Sequence, residues 1–226
     1  MVNWRCFSGF KPDGLAVVAR WSWKQRLELV GLTYAHHEGG FSTLAVSKAA
    51  SSDHLEIVKW LSERQMNCSN SAMDGAAIYG HLEIVKWLHE HRREGCSTKA
   101  MDEAAGNGHL RIVKWLHANR NEGCTTEAMD TAAGKGHFNI VKWLHDHRAE
   151  GCTSNAMDFA AVNGHLHVVK WLYTHRSAGC SYRALEGALR SGHFHVVLFL
   201  HQCKMKLGRK HWGLRASGCL QATPMK

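Results

Sequence analysis

The sequence predicts an all-α fold, a solenoid in which short helical pairs stack side by side. The first observation is a Gly-His dipeptide that recurs every 28 residues. A fixed period between about 20 and 50 residues is typical of arrays whose units bury their apolar faces only against their neighbours. Second, no stretch alternates apolar and polar residues as a strand does, and the only prolines are Pro12 and Pro224. The repeated histidines are His81, His109, His137, His165 and His193.

The period extends beyond its clearest copies, and its extent sets the domain organisation. Asp53-His54 belongs to an earlier copy, 27 residues before His81. A degraded unit begins near Leu15, so about seven helical pairs are expected up to Cys203. Terminal units of a stack lack one neighbour, and atypical sequence is expected there. The predicted domains are an N-terminal segment (residues 1–14), the repeat solenoid (15–203) and a basic C-terminal tail (204–226).

The unit from Cys124 to Gly151 shows how the first helix arises. The hydroxyl of Thr125 or Thr126 can accept hydrogen bonds from the first free backbone N–H groups and so cap the start of the helix. Apolar residues then recur at i, i+3 and i+4, which places one apolar stripe on this helix. Two of them are alanines, whose small side chains let the helix lie close to its neighbours. The stripe consists of Met129, Ala132 and Ala133.

A tight turn and a second helix complete the unit. Gly136 ends the first helix because glycine readily takes the left-handed conformation, and His137 begins the second helix. Arg148 is expected in the last turn, where a cation suits the negative helix end. Gly151 is expected at C′, where the earlier unit has Asn67, because asparagine also tolerates left-handed caps. The apolar residues of the second helix are Ile140, Val141, Trp143 and Leu144.

The segment from Ala132 to Lys142, AAGKGHFNIVK, resembles the core of an ankyrin repeat. That family has two alanines near the end of its first helix, two variable residues, Gly-His, and then an apolar second helix. The family's usual unit is about 33 residues, and the residues missing here fall in the return loop, where ankyrin repeats project a β-hairpin finger. The Thr-Pro-Leu-His opening of the family is replaced by Ala128-Met129-Asp130. The resemblance implies a right-handed α-solenoid of stacked helix-turn-helix ankyrin-like repeats without long β-hairpin fingers.

The net charge of +9 is concentrated at the two ends of the chain. Residues 204–226 hold six cations and no acid, and residues 1–26 hold five cations against Asp13 alone. Residues 27–203 hold 17 cations and 18 acids, so the body lacks the basic stripe expected of a nucleic-acid-binding stack. We expect the tail to be solvated; contact with phosphates or an acidic partner is the alternative.

No membrane span or secretory signal is expected. No apolar run approaches the roughly 18 residues that a span needs, and the stretch from Leu15 to Ala19 is too short for a secretory h-region. Five cysteines share one repeat position, where stacked helices hold equivalent atoms about 8–10 Å apart. A disulfide needs Cα atoms within about 7 Å, so reduced thiols and a cytoplasmic or nuclear, not secreted, location are expected. These cysteines are Cys68, Cys96, Cys124, Cys152 and Cys180.

The residues that could carry chemistry are repeated with the frame, which favours structural roles for them. Gly-His at a helix start is expected to hydrogen-bond the adjoining loop, and the residues of pairs such as His89 and His91 point to different helix faces. A ladder of acids that includes Asp130 is expected to bond backbone or hydroxyl groups of a neighbouring turn. Trp143 and its equivalents, like Met129 and its equivalents, are expected to pack in the core. With no phosphate-binding loop or nucleophile elbow, we expect no enzyme activity, no metal and no cofactor.

A stripe on the first helix varies from unit to unit. Its residues stand at i, i+4 and i+8, on a face turned away from the methionine and the alanines. The resemblance implies that first helices line the concave side, where partners of ankyrin stacks commonly dock. Aromatic and arginine side chains dominate interface energetics, so Tyr79, Phe159 and Arg183 are the best candidate anchors; neutral variation of a solvated face is the alternative. The candidates are Ser71, Tyr79, Lys99, Glu103, Asn107, Glu127, Thr131, Lys135, Asn155, Phe159, Asn163 and Arg183.

These observations favour a monomeric, non-enzymatic scaffold that binds a protein partner through the concave face of the repeat stack. Nucleic-acid or anionic-surface binding through the basic C-terminal tail is the alternative, although the near-neutral body disfavours nucleic acid. A third possibility is that the chain is the repeat portion of a larger polypeptide, and the degraded first unit argues against it. No motif specifies which protein the partner is.

Overall fold

The computed structural model describes residues 43–64, 68–177 and 179–207. The regular structure of these residues is entirely helical, without a strand. The chain divides into two compact units, residues 1–125 and 126–226. Each unit contributes three helical pairs to the part that the structure describes. The expected all-α repeat fold is confirmed for these residues.

Each pair consists of a first helix, a tight turn and a second helix. The first helices of residues 1–125 are α1 (Thr43–Ser51), α3 (Ser71–Tyr79) and α5 (Thr98–Gly106). The second helices there are α2 (Leu55–Glu63), α4 (Leu82–His91) and α6 (Leu110–Asn119). The first helices of residues 126–226 are α7 (Thr126–Gly134), α9 (Ser154–Val162) and α11 (Tyr182–Arg190). The second helices there are α8 (Phe138–His147), α10 (Leu166–His175) and α12 (Phe194–Leu207).

The first helices of each unit pack side by side through small residues. Helix α3 lies between α1 and α5, and α9 lies between α7 and α11. In α7, Ala132 and Ala133 are completely buried and Met129 is 1 % exposed. Because alanine has no atoms beyond Cβ, it lets neighbouring backbones approach closely. The alanine stripe and the core role of the methionine are therefore confirmed.

The second helices supply the larger apolar side chains of the core. In α8, Ile140, Val141 and Leu144 are buried, and this helix packs against α7 of its own pair. The equivalent positions are buried in α4, α6 and α10. Burying one such side chain contributes about 1.5–3 kcal/mol. Most of the largest fully buried side chains among the described residues belong to this layer.

The turn between the helices of a pair requires glycine for two reasons. Gly136 has φ 77°, in the left-handed region, as the sequence predicts. A Cβ atom added at Gly136 would also lie 2.7 Å from the ring of His165 in the next repeat. A larger residue would therefore strain the backbone and collide with the neighbouring repeat. The turn is thus also a contact between repeats.

The return loop differs from the sequence expectation at two positions. Helix α8 ends at His147, and Arg148 is its C-cap in an extended conformation, with φ −127° and ψ 142°. Arg148 therefore lies just beyond the last turn rather than inside it. Gly151 has φ 74°, so its left-handed conformation is confirmed. Its assignment to C′ is wrong, because the extended Arg148 has already turned the chain away before Gly151 is reached.

The tryptophan ladder is half-buried, so its assignment to the core is wrong. Trp143 stands between the buried residues Val141 and Leu144, at the edge of the apolar stripe of α8. One face of its indole is covered by His147, whose ring stacks at a centroid distance of 4.5 Å. The same stack joins Trp171 and His175 at 4.4 Å. The ladder therefore lies on the flank of the second helices.

Several sequence expectations concern residues outside the described part. They include the N-terminal segment 1–14, the degraded unit from Leu15 up to residue 42, and the left-handed role of Asn67. Helix α12 continues to Leu207, four residues into the segment assigned to the tail, and residues 208–226 lie outside the described ranges. None of the described helices is both long and apolar enough to span a bilayer.

Candidate functional site

The repeated aspartates join each first helix to the next repeat. Asp130 is 4 % exposed, and its two carboxylate oxygens accept hydrogen bonds from the Thr153 N–H at 2.9 Å and the Thr153 hydroxyl at 2.5 Å. Asp158 accepts the same pair from Ser181, at 2.8 and 2.5 Å. In residues 1–125 the same two bonds join Asp74 to Ser97 and Asp102 to Thr125. The expected bonding to backbone and hydroxyl groups of a neighbouring turn is confirmed.

The histidines of the repeated Gly-His dipeptide also hold neighbouring repeats together. His81 Nε2 lies 3.2 Å from the Ser51 carbonyl oxygen, and His109 Nε2 lies 3.1 Å from that of Ile78. His165 bonds the backbone of Gly134, and burial lowers its pKa, with the nearby His167 acting in the same direction. These rings lie across the end of the preceding first helix. The expected tie between one unit and the next is confirmed, but the acceptors lie in the last turn of a first helix rather than in a loop.

The return loops are held by arginine–glutamate pairs. Arg120 Nε donates to Glu122 Oε2 at 3.2 Å while its Nη2 pairs with Oε1. The Arg120 guanidinium holds the pKa of the Glu122 carboxyl below its usual value. Burial raises the pKa of the neighbouring Cys96 thiol to about 11, and the charge of Glu122 acts in the same direction. Cys96 is therefore a thiol rather than a reactive thiolate at neutral pH.

No metal centre is assembled by this frame within residues 43–64, 68–177 and 179–207. There, no three His, Cys, Asp or Glu side chains come together as the ligands of one ion would. The repeated acids, histidines and arginines described above each bond another part of the frame. Their chemistry is therefore used in holding repeats together.

Most residues of the variable stripe are exposed, as the sequence predicts. Tyr79 at the end of α3 is 62 % exposed, and Phe159 in α9 is 45 % exposed. Since α3 packs beside α5, and α9 beside α7 and α11, stripe residues of neighbouring helices share one face within each unit. We call this the first-helix face. Its exposed residues are Ser71, Tyr79, Lys99, Glu103, Glu127, Lys135, Asn155, Phe159, Asn163 and Arg183.

Three stripe residues form bonds within the frame. The Asn107 side-chain amide donates to the Ile78 carbonyl at 3.0 Å, and the Asn163 amide donates to the Gly134 carbonyl at 2.7 Å. Both bonds join one repeat to the preceding one. The Thr131 hydroxyl donates to the Glu127 carbonyl of its own helix at 2.7 Å. These three side chains therefore have structural roles whatever else they contact.

Part of the variation along the stripe reflects steric matching between neighbouring first helices. A Cβ atom at Gly134 would lie 2.8 Å from Cβ of Phe159, so the aromatic residue requires glycine opposite it. At the next pair the sizes are reversed, since a Cβ atom at Gly187 would collide with Val162. A large residue thus faces a small one in both pairs. Phe159 consequently has one side against α7 and only the other available to a partner.

Two surface features were missed by the sequence reasoning. The first is the stacking of tryptophan on the histidine four residues later, which the Trp-Leu-x-x-His spacing could have indicated. The second is the apolar surface of the last described repeat. Leu189 is 54 % exposed although it stands where Ala161 is completely buried, and Leu198 is 59 % exposed where earlier units have lysine. Alignment of the units by position could have shown both substitutions.

Family models match this architecture over most of its length. A model of ankyrin repeats in three copies matches residues 101–184, and a model of ankyrin repeats in many copies matches residues 46–89 and 73–117. Together the matches extend from residue 46 to residue 184, more than half of the chain. The chain belongs to the ankyrin repeat family. Ankyrin repeats generally mediate protein–protein interaction.

One solved structure supports the ankyrin fold independently. The crystal structure of the human ASB11 ankyrin repeat domain is similar with a TM-score of 0.55 and 17 % identity. The likeness covers 70 % of this chain and 82 % of that chain. At this identity it shows the fold alone. No significant match was found among curated proteins.

Proposed function

We propose that this ankyrin repeat chain is a non-enzymatic scaffold that binds a protein partner through its first-helix face. This is the side that is concave in ankyrin stacks. The observation that carries the proposal is Tyr79, a large aromatic side chain 62 % exposed at the end of a helix whose inner residues are buried. Exposed aromatic residues of this kind supply much of the binding energy at protein interfaces. Phe159 and Arg183 extend the same kind of surface in the second unit.

The division between a constant frame and a variable surface supports this function. Asp130, His165 and Arg120 bond neighbouring repeats, and the same residue types recur at their equivalents. The exposed residues between them change from aromatic to acidic, basic or amide. A stack needs only the frame for stability, so the exposed positions are available for recognition. Because the frame accounts for the repeated polar residues, we propose no catalytic activity.

The cysteines support a reducing compartment, and we propose the cytoplasm or the nucleus. The described cysteines are free thiols, and burial raises the pKa of Cys152 and, to about 12, that of Cys180. Thiols kept protonated by burial oxidise slowly. Free buried thiols at a repeated position are usual in chains that are not exported.

A pull-down with a matched control tests the proposed face. Wild type and the Tyr79→Ala/Phe159→Ala double variant are used as bait in the same extract. The control is Phe194→Ala, which removes a second-helix aromatic residue that is also 62 % exposed. We expect a set of proteins that is retained by wild type and by the control but lost from the double variant. Retention of the same proteins by all three baits would contradict the proposal; circular dichroism checks that each bait is folded.

The alternative is binding of nucleic acid or another anionic surface through the basic tail. Of that tail, only residues 204–207 lie in a described helix. A complex that depends on phosphates weakens steeply with salt, whereas one that depends on apolar contacts does not. We expect capture through Tyr79 to persist between about 50 and 200 mM salt, a range over which 6–10 phosphate contacts would cost a factor of about 10³–10⁵.

A further inference from the structure

Four arginines share one position immediately after a second helix, and we call them the return-loop arginines. They are Arg92, Arg120, Arg148 and Arg176. All four have the same extended backbone, with φ between −127° and −130°. Three of them pair with a glutamate two residues later in the chain. The fourth, Arg176, is followed at that position by Ala178.

The complete pair in residues 1–125 shows what the glutamate provides. Glu122 receives two parallel bonds from Arg120, one from Nε and one from Nη2. Its Oε1 also accepts a long hydrogen bond of 3.5 Å from the Cys96 N–H in the preceding loop. Two-point contacts of this kind are the strong form of the arginine–carboxylate interaction. A carboxylate is thus held between a guanidinium and a backbone N–H.

Arg176 has the same placement but no carboxylate. Its guanidinium lies against Gly151, where an added Cβ atom would be 2.9 Å from Nη2, just as Arg120 lies against Gly95. It opposes the rise that burial causes in the pKa of the Cys152 thiol, as Arg120 does for Cys96. Its Nη2 otherwise donates to the Met129 thioether at 3.6 Å, and sulfur is a weak acceptor. Among the described residues, no Asp or Glu oxygen forms an ion pair with Arg176.

Arg64 in the first described repeat is not a return-loop arginine, because it stands four residues after Trp60, where most later repeats have a histidine. It lies over the Trp60 ring at 3.7 Å and donates to the Trp60 carbonyl. At the equivalent place His175 stacks on Trp171 at 4.4 Å, and its Nδ1 lies 2.9 Å from the Trp171 carbonyl oxygen. His175, rather than Arg176, therefore makes the contacts with the tryptophan that Arg64 makes in the first described repeat.

The chain from residue 159 to residue 207 carries an excess of positive charge. Residues 159–207 contain six cations and a single acid, Glu186. That acid is paired with Arg190 at 2.7 Å. A partner that carries negative charge would therefore meet little repulsion in this part of the chain.

We propose that Arg176 is a recognition subsite for a carboxylate supplied by an acidic segment of a partner protein. The carboxylate takes the place that Glu122 occupies beside Arg120, with two parallel bonds from the guanidinium. The existence of the subsite follows from the comparison of repeats within this chain. Only the source of its carboxylate, a protein partner, rests on the proposed function.

The test follows the arginine Nε–Hε NMR signals of the full chain during titration with sodium acetate at constant ionic strength. We expect a saturable shift of the Arg176 signal, identified by its loss in Arg176→Lys, and none of the Arg120 signal. Ala178→Glu should weaken the acetate response of Arg176 at least about tenfold, because the attached carboxylate is present at a high effective concentration. Glu122→Ala should confer an acetate response on Arg120. A linear Arg176 shift, or an Arg176 response unaltered by Ala178→Glu, would overturn the subsite.

Two further measurements distinguish failure of the Arg176 subsite from failure of the proposed first-helix face. Titration with inorganic phosphate that saturates Arg176 while acetate does not would overturn the carboxylate assignment. If acetate behaves as expected but the Tyr79→Ala/Phe159→Ala bait retains every protein, the Arg176 subsite is supported and binding through the first-helix face is contradicted. If instead a captured partner depends on Tyr79 but binds Ala178→Glu as it binds wild type, the role of Arg176 in partner recognition is overturned.

Discussion

Replacing Asp130 with alanine removes the carboxylate that joins α7 to the next repeat. The variant loses two charge-assisted hydrogen bonds, from the Thr153 N–H at 2.9 Å and from its hydroxyl at 2.5 Å. Hydrogen bonds to charged groups contribute about 1.5–3 kcal/mol each. Because Thr153 is exposed and water can replace part of the loss, we take the lower value for each bond. The expected loss is about 3 kcal/mol for the pair.

Asp130→Asn separates the shape of the side chain from its charge. The amide has the same outline and keeps one oxygen acceptor for the Thr153 N–H, so about half of the loss is expected. Thr153→Val removes the hydroxyl partner alone. Because Asp130 and Thr153 are in direct contact, the Asp130→Ala/Thr153→Val double variant should be more stable than the sum of the single losses predicts, by at least about 1 kcal/mol.

Urea unfolding followed by circular dichroism measures these losses. With a slope of about 2–3 kcal/mol per M, the midpoint of Asp130→Ala should fall by about 1 M. Glu103→Ala is the control, since it removes an exposed acid from a first helix and should change stability by less than about 0.5 kcal/mol. Equal midpoints for Asp130→Ala and Glu103→Ala would refute the carboxylate link between repeats.

Three further predictions concern steric matching, pH and thiol reactivity. Gly134→Val should lower the free energy of unfolding by about 1–3 kcal/mol, since its Cβ would lie 2.8 Å from Cβ of Phe159. The double variant Gly134→Val/Phe159→Gly has the same arrangement as Val162 and Gly187 in the next pair of helices. It should recover most of this loss in the same urea assay. The pKa of His165 is lowered in the fold. Protonation therefore favours the unfolded chain, and stability should fall as pH decreases below about 6.5. His165→Gln should flatten the plot of melting temperature against pH between about pH 7.5 and 5, and an unchanged slope would contradict this. The thiols of Cys96 and Cys180 have pKa values of about 11 and 12. They should therefore react with iodoacetamide at pH 7.5 much more slowly in the folded chain than in urea, as measured by mass spectrometry. Equal labelling in the two states would contradict this protection.

The repetition of the sequence explains why much of the frame could be predicted. Five copies of one unit show which positions are constant, so the left-handed Gly136, the buried Ala132 and the bonded Asp130 each follow from a requirement that every repeat shares. A helix with small residues on one stripe can pack closely only along that stripe. The Asp130 contact was predictable because an acid on the inner side of a helix needs a donor from the adjoining turn.

The features that could not be predicted depend on the distance between neighbouring helices. Trp143 lies at the edge of the buried stripe, and whether such a residue is covered depends on how closely the next second helix approaches. The matching of Phe159 with Gly134 involves two different repeats, so neither unit alone reveals it. Of the predicted stripe, Asn107 and Asn163 proved to bond the preceding repeat, because an amide at a helix end reaches a carbonyl at the end of the preceding first helix. Tyr79 and one side of Phe159 are the aromatic parts of the stripe that stay exposed.

Site-specific photo-crosslinking tests the proposed scaffold most directly. A photoreactive phenylalanine derivative replaces Tyr79 in one variant and Phe194 in another; the two side chains are equally exposed, at 62 %. Illumination in the native extract should yield a discrete adduct with another protein from position 79 and none from position 194. Adducts of equal yield from both positions, or from position 194 alone, would contradict binding through the first-helix face.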